Sequence, residues 1–190
     1  MSILTASPLI KLYSLEEFWD LPEPADHSKL ELIAGVLYMT PPPGYTHNNI
    51  IQRLTFLLSR YLFENKTKGR LYSPRAAIWT TPRTYLEPDL FYVSAELEAQ
   101  MDMNQMNRAD LVIEVISLSS AVYDRNAKAD TYAALGVKEL WLMDETTQTV
   151  EVRQNTGSEF GICLTFQEES SIQSSVFPHL NFLVKNLFQD

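Results

Sequence analysis

The chain has 190 residues, 45% of them hydrophobic and 21% charged, with a formal net charge of -9. That is enough for one domain with a sizeable core and the ordinary composition of a soluble globular protein. A single cysteine, Cys163, excludes an internal disulfide and a multi-cysteine zinc site. No run of about 18 apolar residues is present to span a bilayer, and the first residues lack the basic start of a signal peptide, so a cytoplasmic protein with no membrane partner is expected.

Residues 14–19 read as a short helix with Ser14 as N-cap and Glu17 three residues later, a capping-box pattern. Residues 30–39 (LELIAGVLYM) hold two apolar runs around Ala34-Gly35, a hairpin signal, and the prolines at 41–43 stop the second strand. A long helix follows, with Thr46 as its cap and Ile50, Ile51, Leu54, Leu57, Leu58, Tyr61 and Leu62 at helical spacing, ending before Gly69. Residues 71–80 and 90–93 read as strands, and the polar, methionine-rich stretch 96–108 as a helix or lid. Residues 111–116 form a continuous apolar run broken only by Glu114, as in a central strand. A helix capped by Ser119 or Ser120 runs to about Leu135, with Gly136 as its C-cap. Strands at 139–143, 149–153 and 161–166 and a final helix or turn at 183–188 complete a mixed α/β sheet flanked by helices.

Charge is unevenly distributed. Residues 44–86 contain seven Lys and Arg against one acid, Glu64, a net +6 that leaves -15 for the remainder. This predicts a basic face on an acidic body, although a solvated helix with its exit loop has the same composition.

The chemistry-bearing pattern is Asp89 in EPDL, Glu114 in DLVIEVIS and Lys128 in DRNAKADTY. An unpaired carboxylate at the end of a core strand is costly, so acids in such places point to a role. Hard carboxylate oxygens suit Mg2+ or Mn2+. The structural alternatives are a turn-capping aspartate, an arginine-paired glutamate and, for Lys128, a surface i,i+4 pair with Asp124. Asp124, Lys128 and Tyr132 share one helix face, which allows the lysine to point towards the two acids instead.

In their order and spacing, LELIAGVLYMTPPPGYTH, EPDLFYVS, ADLVIEVISLSS and DRNAKADTYAALGVKELWLMD resemble the Uma2 family, restriction-endonuclease-like proteins of the PD-(D/E)xK nuclease superfamily, over roughly residues 14–188. The resemblance implies a restriction-endonuclease-like mixed β-sheet with an N-terminal β-hairpin extension in a single domain over 1–190. It implies that Asp89, Glu114 and the backbone carbonyl of Val115 bind Mg2+, for which Mn2+ can substitute, and that Lys128 is the active-site lysine. In most of the superfamily that lysine lies two residues after the glutamate, where this chain has Ile116. Glu31 matches the family's early glutamate and His47 its early histidine. The serine-rich motif after the glutamate reads Ser117-Leu118-Ser119-Ser120, and Ala34 stands where the family often has aspartate.

Glu31 is thus a candidate to extend the site, its alternative being a solvent-facing polar residue on an edge strand. His47 is a candidate phosphate contact or a plain helix seal. His27 and His179 read as structural or incidental, Trp79, Trp141 and Cys163 as core, and Ser117 lacks the context of a hydrolase nucleophile. The function implied is a metal-dependent endonuclease hydrolysing phosphodiester bonds, with DNA the expected nucleic-acid partner, acting as a homodimer. The rival is a non-catalytic nucleic-acid- or metal-binding regulatory module on the same fold, which the acidic body favours.

Overall fold

The computed structural model describes residues 11–102, 104–116 and 124–189. Its centre is a six-stranded mixed sheet in the order β10-β9-β8-β7-β6-β3, built from β3 (Gly69–Tyr72), β6 (Leu90–Ser94), β7 (Leu111–Ile116), β8 (Glu139–Asp144), β9 (Thr149–Asn155) and β10 (Phe160–Gln167). Among the described strands β7 and β8 alone pair in parallel, Glu114 lying opposite Leu142. All six residues of β7 are buried, which explains its unbroken apolar reading.

Alternation assigns the two faces of this sheet. Leu111, Ile113, Val115, Trp141 and Met143 join the core beneath the long helix α2 (Tyr45–Glu64), which contributes Ile50, Leu54, Leu58 and Tyr61. Val112, Ile116, Leu140 and Leu142 face the opposite way, towards α4 (Ala129–Ala134), which contributes Ala129, Tyr132 and Ala133. Small alanines let that helix lie close to the sheet.

A second, antiparallel sheet runs β2-β1-β5-β4, from β1 (Lys29–Ile33), β2 (Val36–Thr40), β4 (Ile78–Thr80) and β5 (Thr84–Leu86). The expected hairpin is its β1–β2 pair, turning through Ala34 (φ 50°) and Gly35 (φ 89°). Beneath it α1 (Leu15–Trp19) buries Leu15 and Phe18 against Leu32, with the expected capping box between Ser14 and Glu17. The other helices among the described residues are single turns, α3 (Ala95–Glu98) and α5 (Lys185–Phe188).

Several sequence expectations are corrected. The run 71–80 is not one strand: Pro74 lies between β3 and β4, which belong to different sheets. Among the described residues of the methionine-rich stretch 96–108, helix covers 96–98 alone. Helix α2 is capped by Gly44, without a side-chain bond, and not by Thr46. Cys163 is exposed on the edge strand β10, whose outer positions face solvent. Trp141 is buried as expected, whereas Trp79 is half-buried and packs edge-on against Trp19. The expected caps Ser119 and Ser120, and Ser117, lie outside the described residues.

Candidate active site

The two sheets meet at a cleft of about 410 Å³ whose lining includes His47, Asp89, Glu114, Val115 and Lys128. Glu114 lies on the α4-facing side of β7, and its carboxylate meets the two residues on that helix segment that the sequence placed on one face. Lys128 Nζ lies 2.7 Å from Glu114 Oε1, and the Tyr132 hydroxyl donates to the same oxygen at 2.6 Å. Lys128 Nζ also lies 3.2 Å from Glu31 Oε2. Lys128 and Glu31 are each 1% exposed and Glu114 is 2% exposed, so the surface alternatives for the lysine and for Glu31 do not hold. Strand β1 lies between β2 and β5, which makes Glu31 an inward residue of an interior strand, and Glu31 Oε1 accepts the backbone N–H of Glu87 at 2.9 Å.

Asp89 comes from the loop entering β6. Its Oδ2 accepts the backbone N–H of Val115 at 2.9 Å and lies 3.4 Å from His47 Nε2. The structure therefore brings Glu31, His47, Asp89, Glu114, Val115 and Lys128 to one place, whereas His179 is not among the residues lining it. Ile116, two residues after Glu114, is buried in the apolar core under α4.

Sequence reasoning missed Lys29. Its Nζ donates to the Glu87 carbonyl at 2.9 Å, lies 3.7 Å from Asp89 Oδ1 and 3.9 Å from Glu31 Oε1. His27, read as structural, also lines the cleft, as do Pro41 to Pro43 and Arg75. Arg75 lies 3.8 Å from Glu87 Oε1, which accepts from the Tyr85 hydroxyl at 3.1 Å. Burial beside that carboxylate pushes the Tyr85 hydroxyl up to about 12.

The electrostatics follow from these contacts. Burial opposes charge on Asp89, but the His47 hydrogen bond and the Lys29, His47 and Lys128 charges outweigh it and hold the carboxyl well below its usual range. Burial likewise lowers His47, yet the Asp89 hydrogen bond and charge raise the imidazole above its ordinary value. Burial next to Glu114 pushes Tyr132 far up, keeping its hydroxyl a donor.

A single π-helical turn, Asp124–Lys128, delivers the lysine into α4. It is clamped from the sheet: Arg125 donates to Glu151 and, at 3.2 Å, to Asp144, while the Arg125 carbonyl accepts from Arg153 at 2.7 Å. Such turns are uncommon and recur where a side chain must be aimed. Burial raises Glu151, but hydrogen bonds and charge from Arg153 and Arg125 lower it below 4.5, and Asp144 is also lowered. A depressed carboxyl contributes stability above its unfolded value and loses it as pH falls through the folded one. Thermal stability is therefore expected to drop below about pH 4.5, and Glu151→Gln to remove part of that drop, read as melting temperature against pH.

Carboxylates are the donor type that a hard divalent cation takes. Asp89 and Glu114 offer carboxylate oxygens to the cleft beside the Val115 backbone. Among the described residues no group of three or more Asp, Glu, His or Cys side chains is placed to hold a metal ion, so any ion here would rest on the two carboxylates with other oxygens. Few protein oxygens and an open side are what Mg2+ uses, with water and phosphate oxygens completing its shell.

The family model described as "Putative restriction endonuclease", Uma2, matches residues 15–185. No curated protein matches the chain. Among solved structures the chain is similar to "a putative nuclease belonging to DUF820" from Anabaena variabilis ATCC 29413, with a TM-score of 0.74 and 21% identity over 93% of this chain and 97% of that one. At that identity the likeness lies in the fold alone, a mixed α/β fold. Among the described residues no helix is long and apolar enough to cross a membrane.

Proposed function

Because the chain belongs to the Uma2 family of restriction-endonuclease-like proteins, we propose that it is a metal-dependent nuclease that hydrolyses phosphodiester bonds in DNA. The observation carrying this reading is Lys128, fully buried yet lining an open cleft between two carboxylates.

Asp89, Glu114 and the Val115 carbonyl would hold Mg2+ or Mn2+, which when bound polarises a phosphoryl oxygen and acidifies a water. The chain's own residues do the rest. Lys29 and His47 keep Asp89 ionised, so its oxygens act as acceptors at neutral pH. Tyr132 and Lys128 fix the Glu114 rotamer from one side, leaving the carboxylate little freedom to turn. Glu31 holds the Lys128 ammonium in place, and that charge stabilises the extra negative charge of the pentavalent transition state. His47, in the first turn of α2, lies on the cleft wall within reach of an entering phosphate.

The test is cleavage of supercoiled plasmid, linear duplex, single-stranded DNA and RNA with Mg2+ or Mn2+. Asp89→Ala is expected to lower the rate by about a hundredfold or more, while circular dichroism stays that of the wild type. An unchanged rate in Asp89→Ala overturns the assignment. A second reading, a non-catalytic binding module, is favoured by the way Lys29, His47 and Lys128 already neutralise the acids within the site. It is the conclusion if metal binding is lost in Glu114→Ala but the wild type cuts none of the four substrates.

A further inference from the structure

Helix α2 presents an unusual outer face. Its inner face buries Ile50, Leu54, Leu58 and Tyr61 against the six-stranded sheet. With 3.6 residues per turn, Tyr45, Phe56 and Phe63 fall in one line on the opposite side. They are 81%, 64% and 86% exposed. Single exposed apolar side chains are ordinary, but three aromatic rings aligned along about 27 Å of helix are not.

This stripe lies in the most basic stretch of an acidic protein. Glu64 is the one acid in residues 44–86, against seven Lys and Arg, while the whole chain carries -9. The Arg60 guanidinium sits 5.8 Å from the Phe56 ring centroid, and Lys66, Lys68 and Arg70 are exposed just beyond the helix. At the other end the stripe reaches the cleft, since Gly44 and His47, on either side of Tyr45 and Thr46, line it.

Exposed rings that stack on bases, interleaved with cations that meet phosphates, are the recognition chemistry of single-stranded nucleic acid. A duplex keeps its base faces stacked inside and offers the rings nothing. The exposed Lys66 and Lys68 beside the Phe63 end of the stripe, in a segment of net +6, favour a polyanion over a second copy of the chain. We propose that the outer face of α2 is a stacking track for single-stranded nucleic acid, leading the strand along the helix to the cleft. The track rests on the nuclease reading only for what happens at its cleft end.

The experiment is fluorescence anisotropy of the full chain in EDTA with a labelled 15-nucleotide oligothymidylate, an abasic strand of equal length and a blunt duplex. Wild type is expected to favour the oligothymidylate. The double variant Phe56→Ala/Phe63→Ala is expected to bind it at least about tenfold more weakly, to keep its affinity for the abasic strand, and to melt at the wild-type temperature. Phe56→Trp is expected to bind as well as wild type. Equal affinity of the double variant and wild type for the oligothymidylate overturns the track, as does tighter binding of the duplex. A dimer in sedimentation that the double variant dissolves without weakening oligothymidylate binding also overturns it, in favour of a second copy. The two readings fail separately. Wild type that cuts DNA but binds no better than the variant loses the track alone, and the expected binding pattern with no cleavage of any substrate loses the nuclease alone.

Discussion

Replacing Lys128 by methionine is expected to abolish cleavage and to lower the unfolding free energy by about 3–5 kcal/mol, the usual cost of removing one partner of a buried ion pair. Methionine has similar length and fills the space, so the effect reports charge and not a cavity. Without the ammonium, Glu31 and Glu114 are left as buried carboxylates that had shared it at 3.2 and 2.7 Å. One of them must then take up a proton or reach for water. Glu31→Gln is therefore expected to return much of the stability when combined with Lys128→Met, without returning activity. Urea unfolding of the two single variants and the double variant gives the coupling. If the single lysine variant unfolds like the wild type, Lys128 is not held as a charged group between these acids. If activity survives the substitution, Lys128 does not act on the phosphate.

The same residue shows how far the sequence carried. Asp89, Glu114 and Lys128 stood out because acids rarely end core strands and because Tyr132 and Lys128 share a helix face. Both signals are local, and periodicity reads local signals well. Lys29 gave none: a lysine opening a strand looks solvated, and its significance lies in contact with the Glu87 carbonyl 58 positions away. The fold divides in the same way. Helix α2 and the strand β7 were legible from their apolar spacing, whereas β5, three residues between two prolines, was too short to show a period. The sheet membership of 71–80 was illegible because two short strands around Pro74 look like one until their partners are known. Cys163 was misread for a related reason. Small and apolar, it belongs to a core by type, but β10 is an edge strand along which Phe166 alone is buried.

Glu139 is the strongest instance of a role that only assembly reveals, and Glu139→Ala is expected to destabilise the fold by about 3 kcal/mol or more. The residue opens β8 and is fully buried. The Trp141 indole N–H donates to its Oε1 at 2.6 Å, as does the Ser174 hydroxyl at 2.6 Å. Its Oε2 accepts the Ser175 backbone N–H at 2.8 Å and the Ser175 hydroxyl at 2.7 Å. Those serines lie 35 and 36 positions later, in the irregular segment leading to Phe177, Leu180, Phe182 and Val184, all of which sit in the core under α2. One carboxylate thus ties the C-terminal segment to the central sheet. Alanine leaves the buried Trp141 indole N–H without its acceptor, the expensive direction of change for a hydrogen bond, and releases the Ser174 and Ser175 donors. Glutamine keeps one acceptor oxygen but sets an NH2 against donors, so it is expected to recover only part of the loss. Glu139 lies at the end of β8 opposite Asp144, which pairs with the π turn, and is not among the residues lining the cleft. Below the melting temperature of the alanine variant, its cleavage rate should accordingly stay within about twofold of wild type. Chemical denaturation combined with the plasmid assay separates the two quantities. A variant as stable as the wild type shows that the carboxylate does not hold the segment. One that is folded but inactive shows that the C-terminal segment sets the geometry of the site.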